Sequence, residues 1–153
     1  MCLIGSVCFQ NVMHGRCKGT LTEIQQFQKR IVDTLVELDA YDEGGSIKRI
    51  NSSEVVNEKH IVDMDIWILL NKPVNISGEF EFIEEFSLSN ILIIEHVGGP
   101  EESQKTIAKM NLYMQEHNLK AIGSAYNHSL HKVKRGLSED EMHFKIYLSI
   151  ENK

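Results

Sequence analysis

The chain has 153 residues, of which 42% are hydrophobic and 25% are charged. This size and balance fit one soluble globular domain with its own core and exclude the disordered class of proteins. The formal net charge of -6 argues against nonspecific binding to nucleic acid, because a phosphate backbone requires a basic surface. No apolar run in the sequence reaches the length of a membrane-spanning helix, so we expect no membrane partner.

The N-terminal run Leu3 to Phe9 is apolar and predicts a first strand, followed by a polar connection from Gln10 to Gly19. It lacks the basic region and cleavage site of a signal peptide, so we expect a cytoplasmic protein. The cysteines are odd in number and have no zinc-site spacing, which predicts reduced thiols. They are Cys2, Cys8 and Cys17.

The first half continues with a capping box, in which Thr20 and Glu23 are three residues apart and predict a helix start. The helix keeps an apolar stripe with helical spacing and is expected to end between residues 39 and 45. Its stripe comprises Ile24, Phe27, Ile31, Leu35 and Leu38. A short strand, a polar turn and a longer strand follow, and Pro73 ends the longer strand because proline has no amide hydrogen. Their predicted bounds are 47–51, 52–59 and 61–70.

Residues 75–86 are predicted to form a connecting loop with a short extended segment at 79–83. The second half begins with an apolar strand over 91–97, and Pro100 then suits the first turn of a helix. This helix has the predicted stripe Ile107, Met110 and Met114, and it ends near His117 and Asn118. Two further strands, over 121–130 and 142–150, are predicted to pair as a hairpin.

Two similar strands organise these halves. In Asp63 to Val74, alternate residues from Met64 to Leu70 are aliphatic, and Asp65 and Trp67 lie on the other face. In Met142 to Ile150 the aliphatic face recurs from Phe144 to Ile150, and Lys145 and Tyr147 lie opposite. The recurrence predicts an α+β fold of two strand-helix-strand-strand repeats with pseudo-twofold symmetry, over about residues 1–74 and 79–151. Both helices are expected on one face of the sheet.

The doubled pattern resembles the GyrI-like family of ligand-binding domains, which also occur behind some AraC- and MerR-type regulators. The resemblance is carried by Ile93 to Gly99 with the following helix, and by the strand runs Asp65 to Val74 and Lys145 to Ile150. Through Phe9 to Val12, the chain is more closely similar to stand-alone GyrI-like proteins of Gram-positive bacteria, some of them encoded near type VII secretion genes. The resemblance implies one GyrI-like domain over residues 1–153 with a cleft between its two repeats.

Many members of that family place a glutamate on the cleft floor to hold cationic drugs. Residues 121–133 contain no glutamate here, and Tyr126, Asn127 and His128 stand in this segment. The acids on predicted strands that offer a substitute are Asp65 and Glu95. The cation-holding glutamate of the family is therefore not matched in this segment.

We predict a non-catalytic binding protein that holds a small organic ligand in this cleft. An aromatic pair with a few polar groups is the usual composition of such a site. The predicted ligand contacts are Asp65, Trp67, Tyr126, Lys145, Tyr147 and Glu95. The two central aromatic residues could instead cap a core or form a homodimer contact. No catalytic residue, metal or cofactor is expected.

Four other patterns have weaker interpretations. His128, His131 and His143 suggest a metal, but strand residues three apart face opposite ways. Adjacent residues Glu95 and His96 also point apart, which disfavours an acid and base pair. Gly98 and Gly99 before a helix could bind phosphate. Glu101 and Glu102 would repel such an anion. The basic cluster Lys132, Lys134 and Arg135 is predicted to be a solvated hairpin tip beside acidic residues.

Two alternative functions stay open on the sequence. The groove could bind a peptide or another subunit, which would make the chain an accessory or chaperone-like factor of a secretion-linked locus. Some GyrI-like proteins are hydrolases, and this resemblance implies a small-molecule hydrolase as a second alternative. No nucleophile with an adjacent base is visible in the sequence, which disfavours the enzyme.

Overall fold

The computed structural model describes residues 2–130 and 142–151. Within these ranges it contains seven strands and two helices, in the α+β arrangement that the sequence predicted. In chain order these are β1 Cys2–Gly19, α1 Leu21–Glu37, β2 Ser46–Val56, β3 Lys59–Leu69, β4 Phe80–Gly98, α2 Pro100–Glu116, β5 Lys120–Ala121, β6 Tyr126–Ser129 and β7 Met142–Glu151. His131 and the basic cluster Lys132, Lys134 and Arg135 lie outside the described residues.

The chain forms two compact units. The first unit is Phe9–Phe86, and the second unit combines residues 2–8 with the chain from Ser87 onward. Strands β1 and β4 each contribute residues to both units.

In the first unit, β3 is the central strand and pairs antiparallel with β1 and β2. The aliphatic face of β3 packs against the apolar stripe of α1, as its period of two predicted. The buried cluster between them consists of Met13, Ile24, Phe27, Ile31, Met64, Ile66, Ile68, Leu70 and Phe80. The predicted core face of this strand is therefore confirmed.

In the second unit, β7 has the equivalent position and pairs antiparallel with β4, β5 and β6. Its aliphatic face packs with α2 in a buried cluster of Leu92, Ile94, Met110, Ile146, Leu148 and Ile150, with Phe144 half-buried at its edge. The predicted α2 stripe is wrong at one position, because Ile107 is 42% exposed. Tyr113 takes part with Met110 and Met114 instead.

The long strands were underestimated from the sequence. β1 continues through the polar segment 10–19, because Val12 to Gly19 form a continuous ladder with β3. β2 likewise extends to Val56, and the turn to β3 is only Asn57–Glu58, both with positive φ. This two-residue turn with left-handed backbone is the usual hairpin connection between antiparallel strands. The short extended segment predicted at 79–83 is the start of β4, which begins at Phe80, and the predicted loop is wrong over residues 84–86.

One backbone feature recurs in both long strands. Asn11 in β1 has φ 59° and Asn90 in β4 has φ 54°, and each lies eight residues before the glycine that ends its strand. Asparagine tolerates this left-handed conformation better than most residues. The shared position supports the internal repeat that the strand sequences indicated.

Local signals at the helix ends agree with the structure. Thr20 accepts a hydrogen bond from the backbone of Glu23, and the Glu23 carboxylate accepts one from the Thr20 backbone. α1 ends at Glu37, slightly before the predicted segment, and α2 starts at Pro100 as predicted. Cys2, Cys8 and Cys17 form no disulfide among the described residues. Neither helix found among the described residues combines the length and apolarity that crossing a membrane would require.

Candidate functional site

The candidate site of the first unit lies on the strand faces opposite α1, which we call the first helix-free face. Alternation along β3 places Asp63, Asp65 and Trp67 there, because Met64 and Ile66 face the helix. Register with β1 sets His14 opposite Trp67 and Arg16 opposite Asp65. The face therefore carries aromatic and charged side chains from neighbouring strands.

Trp67 is part of a cluster of three rings. Its ring centroid lies 5.2 Å from that of His14 and 5.0 Å from that of Phe86, with an interplanar angle of 25° in both cases. The side chain is 8% exposed. Stacked rings at these distances attract one another, so each ring supports the orientation of its neighbour. We call His14, Trp67 and Phe86 the ring cluster.

His14 joins the ring cluster to two carboxylates. Its Nε2 lies 2.6 Å from Asp65 Oδ1, and its Nδ1 lies 2.6 Å from Glu81 Oε1. Asp65 Oδ2 also accepts from Asn51 Nδ2 at 2.7 Å. This network therefore brings two carboxylates together around one histidine on the first helix-free face.

A second ion pair lies beside this network on the same face. The Arg16 guanidinium donates to both oxygens of Asp63, over 2.9 Å from Nε and 2.7 Å from Nη2. These hydrogen bonds lower the pKa of Asp63, with a smaller contribution from Asn51, although burial acts in the opposite direction. Asp63 is thus held as a carboxylate by Arg16, whereas Asp65 and Glu81 share contacts with one histidine.

The second unit has a matching helix-free face, opposite α2, whose centre is a hydrogen-bonded pair. Tyr147 is 1% exposed, and its hydroxyl lies 2.7 Å from Nδ1 of His128. Burial, with a further contribution from the charge of Glu95, raises the pKa of Tyr147 to about 12. The phenol therefore stays protonated at neutral pH.

The remaining predicted residues surround this pair. Tyr126 lies opposite Tyr147, and Glu95 lies opposite Lys145. Glu95 Oε2 is 3.8 Å from Lys145 Nζ, and its Oε1 is 3.3 Å from His143 Nε2. The structure thus places Tyr126, Tyr147, Lys145 and Glu95 on one face of the second unit.

The structure also shows the surroundings of the residues with weaker interpretations. Glu95 and His96 point apart, since His96 hydrogen-bonds through Nδ1 to Thr106 of α2 at 2.7 Å. The Glu102 carboxylate lies against Gly98, where a bound phosphate would have to sit. Across residues 2–130 and 142–151 no three His, Cys, Asp or Glu side chains form a group that could hold a metal. His131 of the suggested metal set lies outside those residues.

Sequence reasoning missed His14, Glu81 and Phe86. His14 and Arg16 alternate in phase along β1, so a strand drawn through the polar segment would have placed both beside Asp65 and Trp67. Glu81 lies in the short segment 79–83 that was predicted as extended, and Phe86 lies in the part of β4 that was predicted as a loop. Alternation was a usable signal for His14 and Arg16, but it would place Glu81 and Phe86, five positions apart, on opposite faces.

The fold can be compared with solved structures. EcmrR in a complex with DNA has a TM-score of 0.65 and 12% identity, covering 100% of this chain and 58% of that one. The EcmrR C-terminal domain alone has a TM-score of 0.60 and 11% identity, covering 100% and 98%. A hydrolase from Listeria innocua has a TM-score of 0.56 and 14% identity, covering 99% and 91%. No protein-family model and no curated protein matches the chain.

The chain has the fold of the EcmrR C-terminal domain. It spans about 58% of the length of EcmrR as seen with DNA. The predicted α+β fold is therefore confirmed. The six predicted ligand contacts stay a prediction.

Proposed function

We propose that the chain is a GyrI-like effector-binding protein that holds a flat aromatic cation without transforming it. The ring cluster with its two carboxylates is the observation that carries this proposal. The fold it shares with the EcmrR C-terminal domain supports it. The proposed contacts are Asp65 and Trp67 on the first helix-free face, and Tyr126, Lys145, Tyr147 and Glu95 on the second.

The ring cluster suggests how a ligand would bind. Trp67 already stacks with two rings, so a ligand that stacks on it has to replace one of them. Replacing Phe86 would exchange one aromatic contact for another and leave the hydrogen bond between His14 and Asp65 intact. Such an exchange has a small enthalpic cost, which suits a site that must accept ligands of different shape.

The charge on the same face favours a cation. Asp65 is held by His14 and Asn51, whereas the Glu81 side chain is 64% exposed and can turn towards a ligand. A cation near the ring cluster would also gain from the face of Trp67, which is the best cation-π partner among side chains. Neutral aromatic compounds would lack both contributions.

Proflavine is a suitable probe, since it is a flat aromatic cation, with anthracene-carboxylate as an anionic compound of similar shape. We expect proflavine to quench the emission of Trp67, the only tryptophan in the chain, in a saturable way. Trp67→Phe is expected to weaken proflavine binding about tenfold by dye anisotropy, because a smaller ring stacks less well. Asp65→Asn is expected to reduce the preference for proflavine over the carboxylate.

Tyr41→Phe is the matched control, since Tyr41 is a half-exposed aromatic residue of the same unit outside the ring cluster. It is expected to leave proflavine affinity unchanged. Equal proflavine affinity in wild type and Trp67→Phe would contradict the proposed site. Circular dichroism checks that both proteins are folded.

A small-molecule hydrolase is the second candidate, because Asp65 orients a histidine through a hydrogen bond of 2.6 Å. In such an enzyme His14 would act as the general base and Asp65 would fix its orientation. Release of nitrophenol from short acyl esters, lost in His14→Asn and retained in His60→Asn, would favour this candidate over simple binding.

A protein-binding accessory role in a cytoplasmic, secretion-linked setting is the third candidate. It requires one stoichiometric partner protein. Purification from the native cell distinguishes it, since a partner that proflavine displaces would use the same face as the proposed ligand.

A further inference from the structure

A separate pocket opens on the α1 side of the first unit. It lies between one flank of α1, the loop at 40–42 and the paired strands β2 and β3, and its volume is about 430 Å³. This volume is within the range of roughly 300–1,000 Å³ found for small-molecule sites. Ile31, Leu35, Ile66 and Ile68 line its inner wall. The pocket is on the side opposite Trp67 and does not depend on the proposed function.

The strand register explains why the pocket exists. Ser46 is paired with Ile68 and Lys48 with Ile66, so these two β2 residues are on the α1 side of the sheet. The buried cluster beneath α1 draws on β1, β3 and β4 and includes no β2 residue. The helix thus leaves the β2 side of this face uncovered.

Apolar side chains at the rim remain in contact with solvent. Val32 is 58% exposed, Val36 is 74% exposed and Tyr41 is 54% exposed, and all three line the pocket. Three such residues around one concavity form a connected apolar rim, unlike the single exposed apolar residues that are normal on a protein surface. A ligand with an apolar body would remove this rim from water.

Lys48 is a half-buried cation in the lining of the pocket. Within the described part of the chain its ammonium group has no ion pair. Gln28 and Ser46 lie among the lining residues and can donate hydrogen bonds, while Asp42 at the loop is the other charged residue of the lining. A partly buried ammonium group is stabilised by an anion that it can hydrogen-bond.

We propose that this pocket binds an amphipathic carboxylate, with its acid group at Lys48 and its hydrocarbon or aryl body along Ile31, Leu35 and Ile66. Asp42 disfavours dianions and phosphates, so the ligand carries a single negative charge. Fatty acids and aromatic acids share this chemistry, and decanoate and naphthoate represent the two sources.

The test compares decanoate with decanol and decylamine by isothermal titration calorimetry on the full chain. We expect decanoate to bind about tenfold more tightly than decanol, because it gains a charge-assisted hydrogen bond, and decylamine to bind least. The methyl resonances of Val32 and Val36 are expected to shift on binding. A comparison of naphthoate with decanoate shows whether the pocket prefers an aryl or a hydrocarbon body.

Lys48→Met keeps the apolar stem of the side chain and removes its charge. It is expected to abolish the tenfold preference for decanoate, and Lys48→Arg is expected to keep most of it. Lys29→Gln is the control, because Lys29 is an exposed lysine of α1 that does not line the pocket. It is expected to retain the full preference.

Equal binding of decanoate and decanol to wild type would overturn the proposal, and so would a preference that survives Lys48→Met. Shifts confined to residues outside the pocket would overturn it too. Decanoate binding is expected to leave the affinity for proflavine unchanged. Failure of the carboxylate site is therefore distinguishable from failure of the proposed proflavine site.

Discussion

The two helices are attached to their units in different ways. α1 buries Ile24, Phe27 and Ile31, and a reciprocal capping box closes its N-terminus. α2 buries Met110 among its described side chains, and its N-cap, Gly99, makes no side-chain hydrogen bond. Two helices of equal length are thus stabilised by different interactions. α1 is held by buried apolar side chains and a capping box, whereas the start of α2 is favoured by Pro100 and by acidic residues in its first turn.

The largest expected effect tests this difference in the core. Phe27 is 0% exposed and its ring lies 5.6 Å from that of Phe80. Phe27→Ala is expected to lower the free energy of unfolding by about 3–5 kcal/mol, because it leaves a cavity that the strands cannot fill. Met110→Ala in α2 is expected to cost less, about 2 kcal/mol. Urea denaturation followed by circular dichroism measures both.

Val36→Ala is the control for the core variants, since Val36 is 74% exposed and its change is expected to stay within about 0.5 kcal/mol. A cost for Met110→Ala equal to or above that for Phe27→Ala would remove the contrast between the helices.

The helix-free faces differ as well, and a change at Tyr147 sharpens that difference. The first face carries the ion pair of Arg16 and Asp63, and the second is centred on the hydrogen bond between Tyr147 and His128. Tyr147→Phe is expected to cost about 1–3 kcal/mol, because it leaves a buried histidine nitrogen without its hydrogen bond. The substitution removes no charge, so this cost is expected to be equal at low and high ionic strength.

Alkaline titration provides an independent measurement of the same pair. The folded pKa of Tyr147, about 12, is above its ordinary value of 10.0, so the folded state holds this proton more strongly than the unfolded state. The stability it contributes is fully present below pH 10 and is lost as the pH rises towards 12. Phenolate absorbance is expected to show one late-ionising tyrosine in wild type that Tyr147→Phe lacks. Its ionisation together with the exposed tyrosines would contradict the burial.

The smallest effects are expected at the helix caps, and they have opposite signs. Thr20→Ala is expected to destabilise by about 1 kcal/mol, because it removes the side-chain acceptor of the capping box. Gly99→Ser is expected to stabilise by a few tenths of a kcal/mol, about the measured difference between serine and glycine at an N-cap. Gly99 has φ -80°, which serine adopts without strain. Thermal unfolding of both variants measures the two effects. A loss of stability in Gly99→Ser would show that a serine side chain at this position does not cap α2.

The sequence by itself determined the features that depend on near neighbours in the chain. The spacing of Ile24, Phe27 and Ile31 placed the buried side of α1, and the alternation from Met64 to Leu70 placed the buried side of β3. Thr20 and Glu23 marked the helix start correctly because a capping box closes within four residues. The recurrence of the central strand also identified β3 and β7 as equivalents.

Tertiary structure decided how far the strands extend and which polar side chains meet. The polar halves of β1 and β2 become strands because β3 supplies partners for their backbone amides, and no local pattern contains that partner. His14 meets Asp65 and Glu81 only through strand pairing, across 51 and 67 positions of sequence. The uncovered pocket at Lys48 also follows from which strands α1 lies over. Such contacts depend on strand order and register, which residue spacing along one strand does not encode.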